Sequence, residues 1–294
     1  MREYTIIPAE QDWPLFVEIY NRCTIYAPYS IPLSLHLVQN HVVPFSQTHE
    51  DYALIGDNGK GKGIIHVGKQ AHLEKGGNED IGVIYMLLAE NNDIAQHLLE
   101  KAEEWFLNKN LKGILSFWWY PSPYKFILHG SETYGWAGAY PMVNAFRRLN
   151  YDLALDILVM LKDLINEPEI VAPKAEGVEF IITNETDNEL AFTGTIEARI
   201  KGRSIGYCGY QYLRAISARL NKGIGQINIG ANNEFHGKGV GTALISYAHS
   251  KLFELGARQV ILATNQSLFR AIKFYENIGY ESEPIKAYAF TKEL

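Results

Sequence analysis

Two spacings of apolar residues alternate along this chain. Short runs with apolar positions adjacent or every second residue predict strands: residues 4–8, then DYALI, GIIHVGK, IGVIYMLL and GILSF. Segments with an apolar residue every three or four positions predict helices at residues 12–22, 33–43 and 94–107, the last placing Ile94, Leu98, Ala102 and Phe106 on one face. DYALI and GIIHVGK are joined by Asp57-Asn58-Gly59-Lys60-Gly61, residues that tolerate positive φ, so this pair reads as a hairpin.

The second half repeats that order. A hairpin, IEARI-KGR-SIGYCGY, is followed by the strand GQINIGA, a glycine-rich turn, a helix over 240–255, the strand QVILAT, a further helix and a final strand. Adding 146 to Ile94, Leu98, Ala102, Phe106 and Ile114 lands on Val240, Leu244, Ala248, Leu252 and Val260, apolar at every position. Further on, AFRRLNY and FYENIGY pair by a shift of 129, the first half carrying an insertion that contains SPYKFILHGSETYGWAG. An internal duplication is the working expectation.

The length of 294 residues fits two domains, and NEPEIVAPKAEG at 166–177 reads as the linker between them. The expected division is 1–165, linker 166–177, and 178–294. The net charge of −6 disfavours general nucleic-acid binding, and no apolar run approaches a membrane span, so the expectation is a cytoplasmic protein without nucleic-acid or membrane partners. Cys23 and Cys208 are too few for a disulfide framework and read as reduced thiols. The nine histidines lack metal-site spacing, so no metal is expected; Glu100, Glu103 and Glu104 read as a solvated helix face in preference to a cation site.

The strongest local signal is NIGANNEFHGKGVGTALISYAHSKLF: a strand ends, three alternate glycines follow, and a helix begins. Glycines allow close backbone approach, and the free N–H groups and positive dipole end of a helix attract phosphate, so this is an anion cradle suited to a diphosphate. A dinucleotide turn has G-x-G-x-x-G spacing and a P-loop has Ser or Thr after Gly-Lys; neither fits HGKGVG.

With SLFRAIKFYENIGY about 35 residues further on, this segment resembles the GNAT superfamily of acyl-CoA-dependent N-acyltransferases. His236 stands where that family usually has Arg or Gln, and Leu268 where its late helix often has Asn. The resemblance implies an α/β fold of α+β character, with two tandem domains, each a mostly antiparallel twisted sheet flanked by helices. It implies acetyl-CoA as co-substrate and transfer of its acetyl group, by direct attack in a ternary complex, to a primary amine of an unidentified small-molecule acceptor. Small amines, amino-bearing antibiotics, amino acids and protein N-termini all fit the sequence, and oligomeric state is not encoded in any motif.

Carried over residue by residue, Ile229, Gly230 and Ala231 would hold the pantetheine arm. His236, Gly237, Lys238, Gly239, Val240, Gly241 and Thr242 would cradle the diphosphate, with Asn265 and Arg270 nearby. Tyr275 falls on the position that protonates the departing thiolate. Glu197 and Glu234 are candidate bases, with solvated surface groups as the plainer account of each. In the first half, Asn91, Asp93 and Ala95 replace the three glycines and Phe146 replaces Tyr275, so that copy is expected to be degenerate. The second half lacks the two helices that wall the acceptor site in the family, and the first domain is expected to supply that wall. SFWWYPSPYKF reads either as an aromatic acceptor lining or as packing. The alternative functions are a non-catalytic acyl-CoA-binding sensor and an interaction protein.

Overall fold

A computed structural model describes residues 5–25, 27, 29–44, 51–69, 81–116 and 140–294. Most of SFWWYPSPYKF and the insertion around it lie outside the described residues.

The chain forms two compact units, one of residues 1–156 with 285–294, the other of 157–284. In the first, β1 (Thr5–Pro8) leads to α1 (Trp13–Thr24), capped by Asp12, whose carboxylate accepts the Leu15 N–H at 2.9 Å. A short turn of α-helix (Leu35–Leu37) running into a π-turn (Val38–Val42) occupies the place of the second expected helix. Then come β2 (Asp51–Asp57), β3 (Lys62–Lys69), β4 (Ile81–Ala89), α2 (Asn92–Asn108), β5 (Gly113–Ser116) and α3 (Tyr140–Arg148). The β2–β3 turn forms as expected: Gly59 has φ 71°, and the Asp57 carboxylate accepts its N–H at 2.7 Å.

β6 (Asp152–Asp163) links the halves. The second unit continues with β7 (Val178–Asp187), β8 (Phe192–Ile200), β9 (Arg203–Tyr212), α4 (Arg214–Leu220), β10 (Ile224–Ala231), α5 (Val240–Glu254), β11 (Gln259–Asn265) and α6 (Phe269–Asn277), and β12 (Glu281–Glu293) ends the chain. Lys201 and Gly202, at φ 50° and 79°, make the tight β8–β9 turn. Helix α4 has no counterpart in the sequence reading.

Six strands fall wholly or mainly in each unit. The orders are β1-β2-β3-β4-β5-β12 in the first and β7-β8-β9-β10-β11-β6 in the second. Only β4–β5 and β10–β11 are parallel among the registered pairs, so each sheet is mixed and mostly antiparallel. The last strands are exchanged: β12 pairs with β5, placing Lys292 opposite Ile114, while β6 pairs with β11, placing Lys162 opposite Val260. The units therefore divide at 156/157 and 284/285, and residues 166–177 lie inside the second unit. There Val171 N–H donates to Ser246 Oγ of α5 at 2.9 Å.

The duplication is visible in backbone detail. Asn110 and Gly256, 146 apart, both take positive φ (58° and 99°) after their helices, and Leu111 N–H to Phe106 O matches Ala257 N–H to Leu252 O. A glycine beneath each helix permits close approach. A Cβ on Gly225 would lie 2.8 Å from Leu252, and one on Gly82 would strike the Phe106 ring. Tyr151 stacks edge-on against Phe146 (centroids 5.0 Å), as Tyr280 does against Tyr275 (6.0 Å).

One difference separates the halves. In the first unit α1 and the turn after it intervene between β1 and β2, and α1 packs on β3 and β4. In the second, β7 and β8 are joined directly, with Asn188 N–H bonded to Ala191 O. Glu103 departs from the expected solvated face. It is half-buried and takes a 2.7 Å ion pair from Lys292, because the exchanged strand covers that side of α2.

Candidate active site

β10 and β11 pair only from Ile224/Gln259 to Gln226/Ile261, although β10 runs on to Ala231 and β11 to Asn265. The strands therefore splay. At their open end, Gly237 and Gly239 take φ 75° and 76°, conformations that cost other residues strain, and Gly239 is the N-cap of α5. No side chain caps this helix and its first turn holds no acidic residue, so its N-terminus keeps its affinity for anions.

A cavity of about 870 Å³ opens here. Of the sequence-based cofactor residues, Ile229, Ala231, His236, Gly237, Gly239, Gly241, Thr242 and Arg270 line it, and Tyr275 joins them. Gly230, Lys238, Val240 and Asn265 do not. Val240 is fully buried in the core, and the Lys238 ammonium sits 4.9 Å over the Phe235 ring. Asn265 uses its carboxamide oxygen on Ser267 N–H and Oγ, both at 2.9 Å, which shapes the turn before α6.

The sequence reading missed Lys174, Phe235, Ser267, Phe269 and Phe274, which also line the cavity. Lys174 comes from the 166–177 stretch, and its N–H donates to Lys238 O at 2.9 Å, which ties that stretch to the glycine turn. A Cβ on Gly239 would lie 3.3 Å from Lys174 N, and one on Gly241 would lie 3.4 Å from the Phe274 ring, so the walls close tightly on both glycines. Lys174 and Arg270 give the cavity cationic side chains suited to phosphate, and His236 adds an imidazole beside the turn.

Tyr275 is 9% exposed, and burial, with a smaller contribution from Cys208, pushes its phenol up to about 12. It keeps its proton at neutral pH. The two candidate bases stand elsewhere. Glu197 is held by Arg199 through contacts of 2.9 and 2.7 Å, and Glu234 is exposed and 3.9 Å from Arg203. Burial raises the Cys208 thiol, and raises Cys23 to about 12, so neither is a ready thiolate.

At the same place in the first unit, α2 is closed to anions. Asn91 caps it by accepting the Ile94 N–H at 3.0 Å, and Asp93 adds a carboxylate to the first turn. Among the described residues no group of three or more His, Cys, Asp or Glu could hold a metal, and no helix is long and apolar enough to cross a membrane.

These features define a mixed α/β domain with an anion-binding helix terminus at the mouth of a cavity. Residues 158–280 match the Acetyltransferase (GNAT) family, a span within a few residues of the second unit. The fold of the whole chain is that of tandem GNAT proteins. One such protein, from the clavulanic acid biosynthesis pathway, is similar at TM-score 0.69 and 11% identity, over 99% of this chain and 98% of that one. A GCN5-related N-acetyltransferase from Sphaerobacter thermophilus is similar at TM-score 0.62 and 15% identity, covering 99% and 95%. A GCN5-related glucosamine N-acetyltransferase region of a fungal multi-domain GH3 β-N-acetylglucosaminidase reaches TM-score 0.70 at 12% identity, covering 99% of this chain and 38% of that one. No curated protein is detectably similar in sequence.

Proposed function

We propose that the protein is an acetyl-CoA-dependent N-acetyltransferase acting on a primary amine of a small molecule. The observation that carries this reading is the uncapped N-terminus of α5, entered through two left-handed glycines at the mouth of a splayed strand pair. That arrangement offers backbone N–H groups to a diphosphate and unpaired strand edge to an extended amide-containing arm. The cavity's size suits a ligand as large as a CoA thioester.

In this reading Ile229 and Ala231 bind the arm, Lys174 and Arg270 neutralise phosphates, and His236 offers them a ring N–H. Tyr275 donates a hydrogen bond to sulfur as the carbon–sulfur bond breaks. A phenol near 12 is a weaker acid than a thiol near 8.5, so it stabilises the thiolate as a hydrogen-bond donor more than by outright transfer.

The test is calorimetry with acetyl-CoA on wild type and Gly239→Trp, with circular dichroism to verify folding. Micromolar binding lost in the variant supports the reading. No binding by the wild type overturns it, and binding without thiol release from any amine leaves a sensor.

A further inference from the structure

The second unit holds another cavity, of about 300 Å³, on the opposite face of strand β10. Leu244 and Leu252 of α5 lie against Gly206 and Gly225, so the alternation of strand side chains sends Gln226 and Asn228, with Tyr207 and Gln211 of β9, to the other side. Thr193 and Thr195 of β8 pair with Gln211 and Gly209 and share that face. The register that matches Gly82 to Gly225 matches Val83 and Tyr85 of the first unit to Gln226 and Asn228. Where the first sheet meets α1 with apolar and ring residues, the second presents carboxamides and no helix of its own.

The lining is neutral and hydrogen-bonding: Asn184, Thr193, Thr195, Gln211, Gln226 and Asn228 supply amides and hydroxyls, and no Asp, Glu, Lys, Arg or His lines it. Amides and hydroxyls both donate and accept, as sugar hydroxyls do. A ligand carboxylate or phosphate would lose water there without gaining a counter-charge. Tyr207, 48% exposed, lays its ring over Gly230, where a Cβ would lie 2.7 Å from it, and so adds an apolar platform beside the amides. Glycine at 209 leaves room for the Asn228 carboxamide to lie across the sheet.

The two cavities share β10: Ile229 and Ala231 line the large one, Gln226 and Asn228 the small one. Beyond Gln226 β10 is no longer paired with β11, so the hydrogen bonds of that pair do not close the sheet between the stretch of β10 that lines one cavity and the stretch that lines the other. The geometry points to a primary amine carried on a polyhydroxylated ring, an amino sugar or aminocyclitol, as the acceptor held in the small cavity. The inference rests on the transferase reading above. Its nitrogen forms the bond to the acetyl carbon as the carbon–sulfur bond breaks; one amine proton leaves to water, the sulfur gains one, and the products are the N-acetylated amine and CoA.

The test has two arms. Saturation-transfer NMR without acetyl-CoA asks whether glucosamine, galactosamine or 2-deoxystreptamine binds the wild type, and whether Asn228→Ala and Thr195→Val, both on accessible side chains, weaken it. Thiol release with acetyl-CoA compares these amines with putrescine, tyramine and a tripeptide. A kcat/KM at least tenfold higher for a polyhydroxylated amine, with KM raised fivefold or more by Asn228→Ala and the acetyl-CoA Kd unchanged within twofold, supports the inference. Acetyl-CoA binding without binding or turnover of any polyhydroxylated amine overturns it and leaves the transferase reading intact, as does faster turnover of putrescine, tyramine or peptide. Sugar binding without acetyl-CoA binding overturns the transferase reading and leaves the pocket.

Discussion

His249 Nε2 and the Tyr280 hydroxyl are 2.7 Å apart in a buried contact between α5 and the turn that follows α6. Both side chains are almost fully enclosed, and Lys162 of β6 lies close enough to add its charge, its ammonium donating to Ile278 O at 2.6 Å. Burial first, and Lys162 second, hold His249 down at about 3, and burial lowers Lys162 as well. The folded pKa of His249 is below its unfolded value of about 6.5, so the unfolded chain takes up the proton first. The stability due to neutral His249 is complete above pH 6.5 and is lost as pH falls toward 3. Urea midpoints measured from pH 7.5 to 4.5 should decline for wild type and decline less steeply for His249→Gln. Parallel slopes would show that this imidazole does not govern the acid side.

The first unit puts different chemistry at the same place. Adding 146 to Glu103 reaches His249, adding 129 to Tyr151 reaches Tyr280, and Lys292 stands opposite Ile114 as Lys162 stands opposite Val260. Lys292 pairs with Glu103 at 2.7 Å and sits 5.1 Å over the Tyr151 ring. Lys292→Met leaves a half-buried carboxylate without its cation and should cost about 1–3 kcal/mol in chemical unfolding. Glu103→Gln combined with Lys292→Met should recover part of that loss, which a double-mutant cycle reads directly.

Asn91 supports a prediction about stoichiometry. Its carboxamide occupies the helix terminus that its counterpart leaves open, and Asp93 repels anions from the same turn. Calorimetry should therefore find one acetyl-CoA per chain. Asn91→Ala should cost about 1 kcal/mol of stability without creating a second site, because Asp93 remains. Two equivalents bound by the wild type would contradict the degeneracy of the first unit.

Local signals made much of this legible. The helix over 92–108 follows from Ile94, Leu98, Ala102 and Phe106, and the glycine turn follows from the need for positive φ at 237 and 239. The strand exchange was not legible, because β6 and β12 are similar amphipathic strands at the same point of each repeat, and which sheet each joins is a non-local choice. Lys174 was hidden for a related reason: a proline-containing polar stretch has the composition of a linker whether it hangs free or, through Val171 and Lys174, packs on α5 and the turn. Asn265 shows the converse, a position carried over by resemblance whose carboxamide this chain uses on Ser267.

Tyr275 supports the last prediction. Its phenol lines the large cavity, is 9% exposed, and stays protonated to about pH 12. Removing the hydroxyl leaves the ring packing against Tyr280 and Phe274, so Tyr275→Phe should fold normally and bind acetyl-CoA within twofold of wild type. If the hydroxyl stabilises the leaving thiolate, kcat should fall by about 10²–10³, the range for losing one such donor. Because the phenol does not ionise below pH 10, the wild-type kcat profile should show no alkaline loss assignable to Tyr275 between pH 7 and 10. A variant with wild-type kcat would remove Tyr275 from the chemistry and leave it a packing residue of the cavity wall.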